Sequence, residues 1–228
     1  MSITIIPPEL LQDNQAASTA KPQKFDRQEW QPSQLLPETS ESFRLLGCFS
    51  TGHSALYFKY PIETMRDGSL VFGGFKYSAS YPGKTPEGIS RKTDWATPSR
   101  EKIEGEYESP KPNLCWIVYS YERERCELML IPQKGLKESM TEILSEADDY
   151  TWDEETGIAN FVIKVTRKGQ GIESSDSLLP KVKKTEAAVT KAFDEVKDTA
   201  MVSELLKGGH PFIQSREFSS TPEGTSEF

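Results

Sequence analysis

A stretch near the middle of the chain interleaves basic and aromatic side chains. Between residues 57 and 102 the sequence holds eight Lys and Arg against five Asp and Glu, a local excess of positive charge. Aromatic rings stack on nucleobases for about 1–3 kcal/mol per base, and Lys and Arg neutralise phosphates. The pattern therefore predicts a surface for a single-stranded nucleic acid. Its predicted phosphate contacts are Lys59, Lys76, Lys84, Arg91 and Lys92, and its predicted stacking platforms are Tyr57, Tyr77, Tyr81 and Trp95.

Part of this stretch also has a purely structural interpretation. Phe58, Phe72 and Phe75 fit the core of a β domain as well as a binding surface, and lysines keep any surface soluble. Tyr81 and Trp95 differ, because they fall in a loop rich in Gly and Pro that offers no obvious core for a large ring. The loop residues therefore support the binding hypothesis more strongly than the strand residues do.

A second basic segment lies between residues 164 and 184. It contains the sequence Arg167-Lys-Gly-Gln-Gly171, in which Arg167 and Lys168 are further predicted phosphate contacts. The two glycines would let a phosphate approach the backbone closely. A tight turn at the end of a strand has the same composition, so both interpretations stay open.

Residues that carry enzymatic chemistry are sparse. The chain has two histidines, His53 and His210, and neither lies in a nucleophile, P-loop, dinucleotide-binding or His-Glu-x-x-His motif. Cys48, Cys115 and Cys126 lack the closely spaced pairs that zinc sites use. We therefore expect a non-enzymatic protein with packed, reduced thiols and with no metal or other cofactor.

The overall charge restricts how such a protein binds nucleic acid. The 228 residues carry 27 Lys and Arg against 35 Asp and Glu, a formal net charge of −8. A chain of this charge does not attract polyanions as a whole, so any nucleic-acid site must be local. No apolar run reaches the length that a membrane-spanning helix needs, and we expect a cytoplasmic protein that does not bind membranes.

Short runs of β-branched and aromatic residues predict the elements that position these side chains. Asp67-Gly68 is a predicted hairpin turn, and apolar residues at helical spacing predict an amphipathic helix from Leu136 to Ala147. The predicted fold is mainly β with helices, an α+β class, built as an OB-fold-like small β-barrel plus a C-terminal helix. The predicted strands lie within residues 42–49, 55–60, 70–77, 114–121, 125–131 and 160–166.

The second half of this pattern has a familiar order of elements. A strand Cys115-Trp-Ile-Val-Tyr119, a hairpin partner ending at Ile131, a helix over residues 133–146 and a strand with a basic turn over residues 156–180 follow one another. This order resembles the single-stranded-DNA-binding proteins of tailed phages related to the T-even helix-destabilising protein, and Phe43-Arg-Leu-Leu46 is similar to their entry strand.

The resemblance implies an OB-fold core and a DNA cleft lined by Lys, Arg and aromatic residues. It also implies binding without strong sequence preference and roles in DNA replication, recombination and repair. Many members of the family carry a Cys/His zinc subdomain, but residues 78–113 contain neither Cys nor His, so the resemblance does not extend to the metal.

Composition then divides the chain into parts. The first residues are rich in Pro, Gln, Ser and Thr and cannot bury enough apolar surface to form a domain, although Phe25 and Trp30 are candidates for docking. The predicted parts are a flexible N-terminal arm (1–41), an OB-fold-like DNA-binding domain (42–184) with a long loop at 78–113, a C-terminal helix (185–209) and a flexible tail (210–228) ending in Phe.

The tail is similar to the ends of proteins that coat single-stranded DNA. Such proteins commonly end in a mobile acidic segment whose last aromatic residue docks on a partner. Phe218, Glu227 and Phe228 are therefore predicted to bind replication or recombination proteins, and homo-oligomers on DNA are expected. An unstructured end with a chance Phe fits the tail equally well.

A function of another class also fits the sequence. The predicted C-terminal helix carries an apolar stripe that includes Val189, Phe193 and Val196, and such a stripe pairs with itself or with the groove of another protein. The alternative is therefore a non-enzymatic assembly factor that acts through this helix and the two termini.

Overall fold

Ten strands and two α-helices are described in the computed structural model, which covers residues 28–83, 91–93, 102–146, 149–170 and 173–213. The α-helices are α1 (Lys134–Ser145) and α2 (Ala187–Asp194), and 3-10 helices span Pro32–Gln34, Phe49–Thr51 and Val202–Lys207. The strands are β1 (Glu29–Trp30), β2 (Ser40–Leu46), β3 (Ser54–Arg66), β4 (Ser69–Ser78), β5 (Arg91–Thr93), β6 (Lys102–Tyr107), β7 (Lys111–Ser120), β8 (Arg125–Ile131), β9 (Ile158–Lys168) and β10 (Ser175–Val182).

One mixed sheet organises the fold. Its central path runs β1-β8-β7-β2-β9-β10, and β3 joins β7 next to β2 and continues to β4. The pairs are antiparallel except for β1 with β8. The α+β class is confirmed. Among the described strands, β1, β4 and β10 remain edges and the sheet is not closed into a barrel, so the OB-fold is not confirmed.

Helices cover the sheet on both sides. On the α1 side, Leu136, Met140 and Ile143 pack onto side chains of β2, β7 and β9. On the α2 side, Val189 and Phe193 pack onto the opposite side chains, together with residues of the 3-10 helix Val202–Lys207. Strand residues alternate between these two clusters because successive side chains of a strand point to opposite faces.

The folded domain begins before residue 42, so part of the predicted flexible arm (1–41) belongs to it. Trp30 is fully buried, and its ring centroid lies 4.5 Å from that of Phe43. Burial of one indole supplies enough apolar area to hold the two-residue strand β1 against β8. Residues 28–41 therefore belong to the folded domain, while Phe25 lies outside the described residues.

Two further predictions differ from the structure in their boundaries. The predicted loop 78–113 contains β5, β6 and the start of β7 at Lys111. The predicted helix 185–209 is helical only from Ala187 to Asp194, and its later apolar residues pack from turns and a 3-10 helix instead. His210 pairs with Ile213 in an isolated bridge, so the tail leaves the described fold only after Ile213.

Within the described residues, no helix is long and apolar enough to cross a membrane.

Candidate nucleic-acid interface

The β3–β4 hairpin extends beyond the rest of the sheet. β7 pairs with β3 only as far as Lys59, which is opposite Lys111, and from Tyr60 to Arg66 the described partner of β3 is β4 alone. Asp67 and Gly68 close the hairpin with φ values of 50° and 79°, which fits the predicted two-residue turn with two left-handed residues. The tip of the hairpin is exposed, from Thr64 to Gly68, as are Phe72 and Phe75.

A β-bulge places two aromatic rings together on this hairpin. Ile62 pairs with Gly74 and Glu63 pairs with Phe72, so Gly73 is an extra residue in β4. Residues three apart on a regular strand face opposite sides, but the extra residue turns Phe72 and Phe75 to the same side. Their ring centroids lie 5.2 Å apart at 71°, and the side chains are 59% and 53% exposed.

The bulge depends on glycine at its extra position. A Cβ built on Gly73 would lie 2.3 Å from Cγ2 of Thr64, a distance that real Cβ atoms do not reach. Gly74, the next residue, has a φ of +103°, a conformation that residues with a side chain rarely adopt. The Gly73-Gly74 pair is thus the local sequence cause of the paired rings.

Lys59 supplies a positive charge beside these rings. Its Nζ lies 4.5 Å from the ring centroid of Phe75 and 5.7 Å from that of Tyr77. Burial lowers the pKa of Lys59 and raises the pKa of Tyr77. A cation held over two rings gains about 0.5–2 kcal/mol, depending on how far it is desolvated. Lys59 therefore orders the base of the aromatic patch as well as contributing charge to it.

The other predicted residues of the hairpin have different environments. Tyr57 is 9% exposed and packs in the α2-side core, so its ring has no free face for a base and we remove it from the candidate interface. Tyr77 is partly buried against the same core. Lys76 is exposed on the opposite face of β4, and Tyr81, 46% exposed, contacts Phe58 edge to face at 5.5 Å.

Several predicted site residues are not described in detail. Arg91 and Lys92 lie on β5, which pairs with β6, but their side chains are outside the described part of the structure. The remaining ones lie outside the described residues altogether, namely Lys84, Trp95, Phe218, Glu227 and Phe228.

The basic turn after β9 separates its two predicted contacts. Arg167 donates from Nε and Nη2 to the two carboxylate oxygens of Asp176, at 2.9 and 3.0 Å, which leaves it a poor phosphate ligand. Lys168 is exposed on the opposite face of β9. Gly169 has a φ of +74°, and its N–H donates to the Glu38 carboxylate at 2.9 Å. The tight-turn interpretation therefore explains Arg167 and Gly169, while Lys168 stays a predicted phosphate contact.

Within the described ranges, His53, Cys115 and Cys126 lie in the core. These ranges hold no group of three His, Cys, Asp or Glu side chains that could bind a metal. His53 is buried, with Nδ1 2.8 Å from Thr51 Oγ1 and Nε2 2.8 Å from the Lys197 carbonyl oxygen. Cys115 and Cys126 are buried, and burial raises the pKa of each thiol to about 12.

A cavity of about 630 Å³ lies between α2, the β7–β8 turn and the segment that ends at Ile213. Three carboxylates, Glu124, Glu195 and Glu204, are part of its lining. Like charges repel, so this acidic cavity does not suit a nucleic acid. Within the described residues, the accessible aromatic surface of the β3–β4 hairpin fits a nucleic acid better.

Comparisons of this chain with protein-family models, with curated proteins and with solved structures found no match.

Sequence reasoning missed the two most accessible rings of the hairpin. Phe72 and Phe75 fitted a core by residue type alone, whereas the structure leaves more than half of each side chain in water. The available signal was Gly73-Gly74, because paired glycines inside a strand pattern mark a bulge.

Proposed function

We propose that this chain is a single-stranded-DNA-binding protein that acts in phage-type DNA replication, recombination and repair without strong sequence preference. The observation that carries the proposal is the exposed Phe72–Phe75 pair next to Lys59 on a projecting hairpin. Two rings exposed side by side form a contiguous apolar patch, which marks an interaction site more often than a single exposed ring such as Phe49 does. Stacking of bases on rings is tolerant of sequence, because every base has a π face.

Charge around the hairpin supports a nucleic acid as that ligand. Lys59 lies beside the rings, Arg66 is exposed near the turn and Lys76 is exposed on the other face of β4. These three cations outnumber the two carboxylates of the hairpin, Glu63 opposite Phe72 and Asp67 in the turn. Cations placed among aromatic rings fit a strand whose bases stack while its phosphates are neutralised. The predicted contacts of Arg91, Lys92, Lys84 and Trp95 belong to the same proposal.

The wider biological context also belongs to the proposal. The order β7, β8, α1, β9 agrees with the order of elements on which the resemblance to phage single-stranded-DNA-binding proteins rests. An OB-fold-like core, a cytoplasmic location, oligomers on DNA and a tail whose Phe218, Glu227 and Phe228 bind replication or recombination proteins follow from that resemblance.

The alternative of an assembly factor loses its main surface. Val189 and Phe193, which define the apolar stripe of α2, are 1% and 3% exposed because they pack onto the sheet. A stripe that is already buried within its own domain is not available to a partner helix.

The direct test is fluorescence anisotropy of labelled oligo-thymidine of about 16 nucleotides, the upper site size of a single OB-fold module. We expect salt-sensitive binding to the wild-type protein. Phe72→Ala and Phe75→Ala should each lower affinity by about 5-fold to 150-fold, since a stacked base contributes about 1–3 kcal/mol. No binding, or equal binding by both variants and wild type, would refute the proposal.

Phe49→Ala is the matched control. Phe49 is 54% exposed, as Phe75 is, but it lies on the 3-10 helix before β3 and contacts Trp116 at 5.3 Å. Its replacement removes a comparable ring from a different part of the surface. We expect its affinity to stay within twofold of wild type, on the order of the scatter among surface substitutions.

A further inference from the structure

A second surface of the sheet collects three lysines, and the nearest carboxylates, Glu38 and Glu122, accept hydrogen bonds from the Gly169 and Ser42 N–H groups at its margins. Strand pairing places Lys164 between Ser42 and Leu179, Lys168 opposite Ser175, and Lys181 opposite Val162. Directly opposed residues share a face, so these three lysines lie on the α2 side of β9 and β10. We call this surface the lysine face.

The lysine face is open to solvent. All three lysines are exposed, and Leu179 between them is 62% exposed. α2 and the last 3-10 helix pack over β3, β4, β7 and β8, and α1 packs against β10 from the opposite side. Within the described residues, none of the three ammonium groups has a carboxylate within ion-pair distance.

The composition of this face is uniform along its length. The other residues on its register positions between Lys181 and Lys168 are Val162, Thr166, Ser175, Ser177 and Leu179, while Asp176 points to the opposite side with Arg167. Hydroxyl groups and lysines donate hydrogen bonds to phosphate oxygens. The face holds no aromatic side chain on these positions, so it recognises a backbone and not bases.

Protection of a sheet edge does not explain these lysines. Lysines on edge strands prevent sheets from pairing with other chains, and Lys181 on β10 fits that role. Lys164 lies between Ser42 of β2 and Leu179 of β10, whereas Lys168 ends β9 beyond the outermost β2 pair, Ser40 with Thr166. Edge protection therefore does not account for the row as a whole, because Lys164 lies inside the sheet.

Spacing identifies the class of ligand. Lys164 and Lys168 are separated by roughly 13 Å along β9, and the whole row from Lys181 to Lys168 spans roughly 20 Å, at about 3.3 Å per residue. A single phosphate group cannot bridge such a row. A chain of phosphates can follow it.

We infer that the lysine face binds the phosphodiester backbone of a nucleic acid, as a surface separate from the aromatic hairpin. The inference deepens the proposed function, which supplies the identity of the polymer. Binding at the hairpin depends on bases, whereas binding at the lysine face depends only on phosphates. The two surfaces are therefore separable by a probe that has no bases.

The test uses the full chain with Lys164→Gln, Lys168→Gln and Lys181→Gln combined. The control combines Lys134→Gln, Lys191→Gln and Lys197→Gln, three exposed lysines on neither proposed surface, so the net charge of the two proteins is identical. The probes are labelled oligo-thymidine, an abasic oligomer with the same number of phosphates, and a DNA duplex. Affinity is measured by anisotropy across a salt series.

We expect the lysine-face variant to lose at least tenfold affinity for the abasic oligomer relative to the charge-matched control. For oligo-thymidine, the slope of log affinity against log salt concentration should become less steep by about 2 if three phosphate contacts are lost. Equal binding of both variants to the abasic oligomer, or no binding of that oligomer by the wild type, overturns the inference. If the lysine-face variant loses affinity for the duplex as well as for the abasic oligomer, the face binds the backbone of double strands as well as single strands.

Failure of this inference differs from failure of the proposed function. If the hairpin binds bases but the lysine face is inactive, Phe72→Ala lowers oligo-thymidine affinity while the two lysine variants stay equal. If only the lysine face is active, the abasic oligomer distinguishes the lysine variants and Phe72→Ala has no effect.

Discussion

Gly73→Ala tests whether the bulge in β4 creates the aromatic pair. The new Cβ would lie 2.3 Å from Cγ2 of Thr64, so either the Thr64 side chain or one of the two strands must shift. Overpacking of this kind costs about 1–3 kcal/mol. The distal hairpin is paired only within itself, and it relieves the clash most readily by losing the extra residue from the bulge. Phe72 and Phe75 then face opposite sides, as in a regular strand.

We expect Gly73→Ala to affect binding more than stability. Separation of the rings removes one stacked base, about 1–3 kcal/mol or a 5-fold to 150-fold loss of affinity for oligo-thymidine. The free energy of unfolding should fall by no more than about 1–3 kcal/mol, because the strain is released locally. Anisotropy measures the affinity, and urea denaturation measures the stability.

A second substitution separates the steric cause from other effects. Thr64→Ala removes both Cγ2 and Oγ1 of residue 64, and its remaining Cβ lies 3.1 Å from the methyl group that Gly73→Ala introduces. The double variant therefore lacks most of the clash. The double variant should recover most of the lost affinity. Gly74→Ala is the contrast, because its φ of +103° strains any side chain while its Cβ has no atom within 4 Å. Thr64→Ala cannot relieve that strain. Wild-type binding by Gly73→Ala, or no recovery in the double variant, would contradict the role of the bulge.

Three further predictions follow from the core and the charged network. Burial alone would raise the pKa of Cys48, but hydrogen bonds from Ser50 and Thr51 outweigh it and lower the pKa. A maleimide should therefore label this half-buried thiol first in the native protein, as read by peptide mapping. Earlier labelling of Cys115 or Cys126 would contradict the assignment. Trp30→Ala should lower the free energy of unfolding, measured in urea, by about 3–5 kcal/mol, and Trp30→Phe should lower it clearly less. A loss under about 1 kcal/mol for Trp30→Ala would mean that β1 does not belong to the core. Burial alone would raise the pKa of Glu186, but hydrogen bonds from Lys183 and Tyr121 lower this pKa below 4.5. The ionised Glu186 therefore contributes its full stabilisation above pH 4.5, and this stabilisation is lost as the pH falls through the lowered pKa. Urea midpoints of Glu186→Gln should therefore decline less than those of wild type in this acidic range, and parallel declines would contradict the linkage.

The sheet was predictable where strands are rich in apolar residues. β7, β8 and β9 lie largely where the patterns placed them, because most of their buried positions are apolar, although Asn113, Ser120 and Glu127 are buried as well. Apolar spacing likewise placed α1 within two residues of its observed ends, since three of its stripe residues pack on the sheet.

Other features depend on partners that are distant in sequence. β10 contains Pro180 and only one buried apolar residue, so nothing in its own composition marks it as a strand, yet an edge strand tolerates proline. Arg167 and Lys168 are adjacent and both basic, but only the pairing register shows that Arg167 meets Asp176 while Lys168 meets solvent. Trp30 has no apolar neighbours in sequence and becomes part of the core only through Phe43.

The same reasoning explains how an acidic chain can present sites for a polyanion. At an ionic strength of about 0.1 M the Debye length is about 10 Å, so charges farther away than this are largely screened. The lysine face spans roughly 20 Å along its strands, which carry no carboxylate on that side, whereas Glu124, Glu195 and Glu204 gather around the cavity next to α2. A phosphate on the lysine face therefore responds to the three lysines and to Glu38 and Glu122 at its margins more than to the carboxylates of the cavity. The net charge of −8 is a sum over both regions, and it describes neither of them.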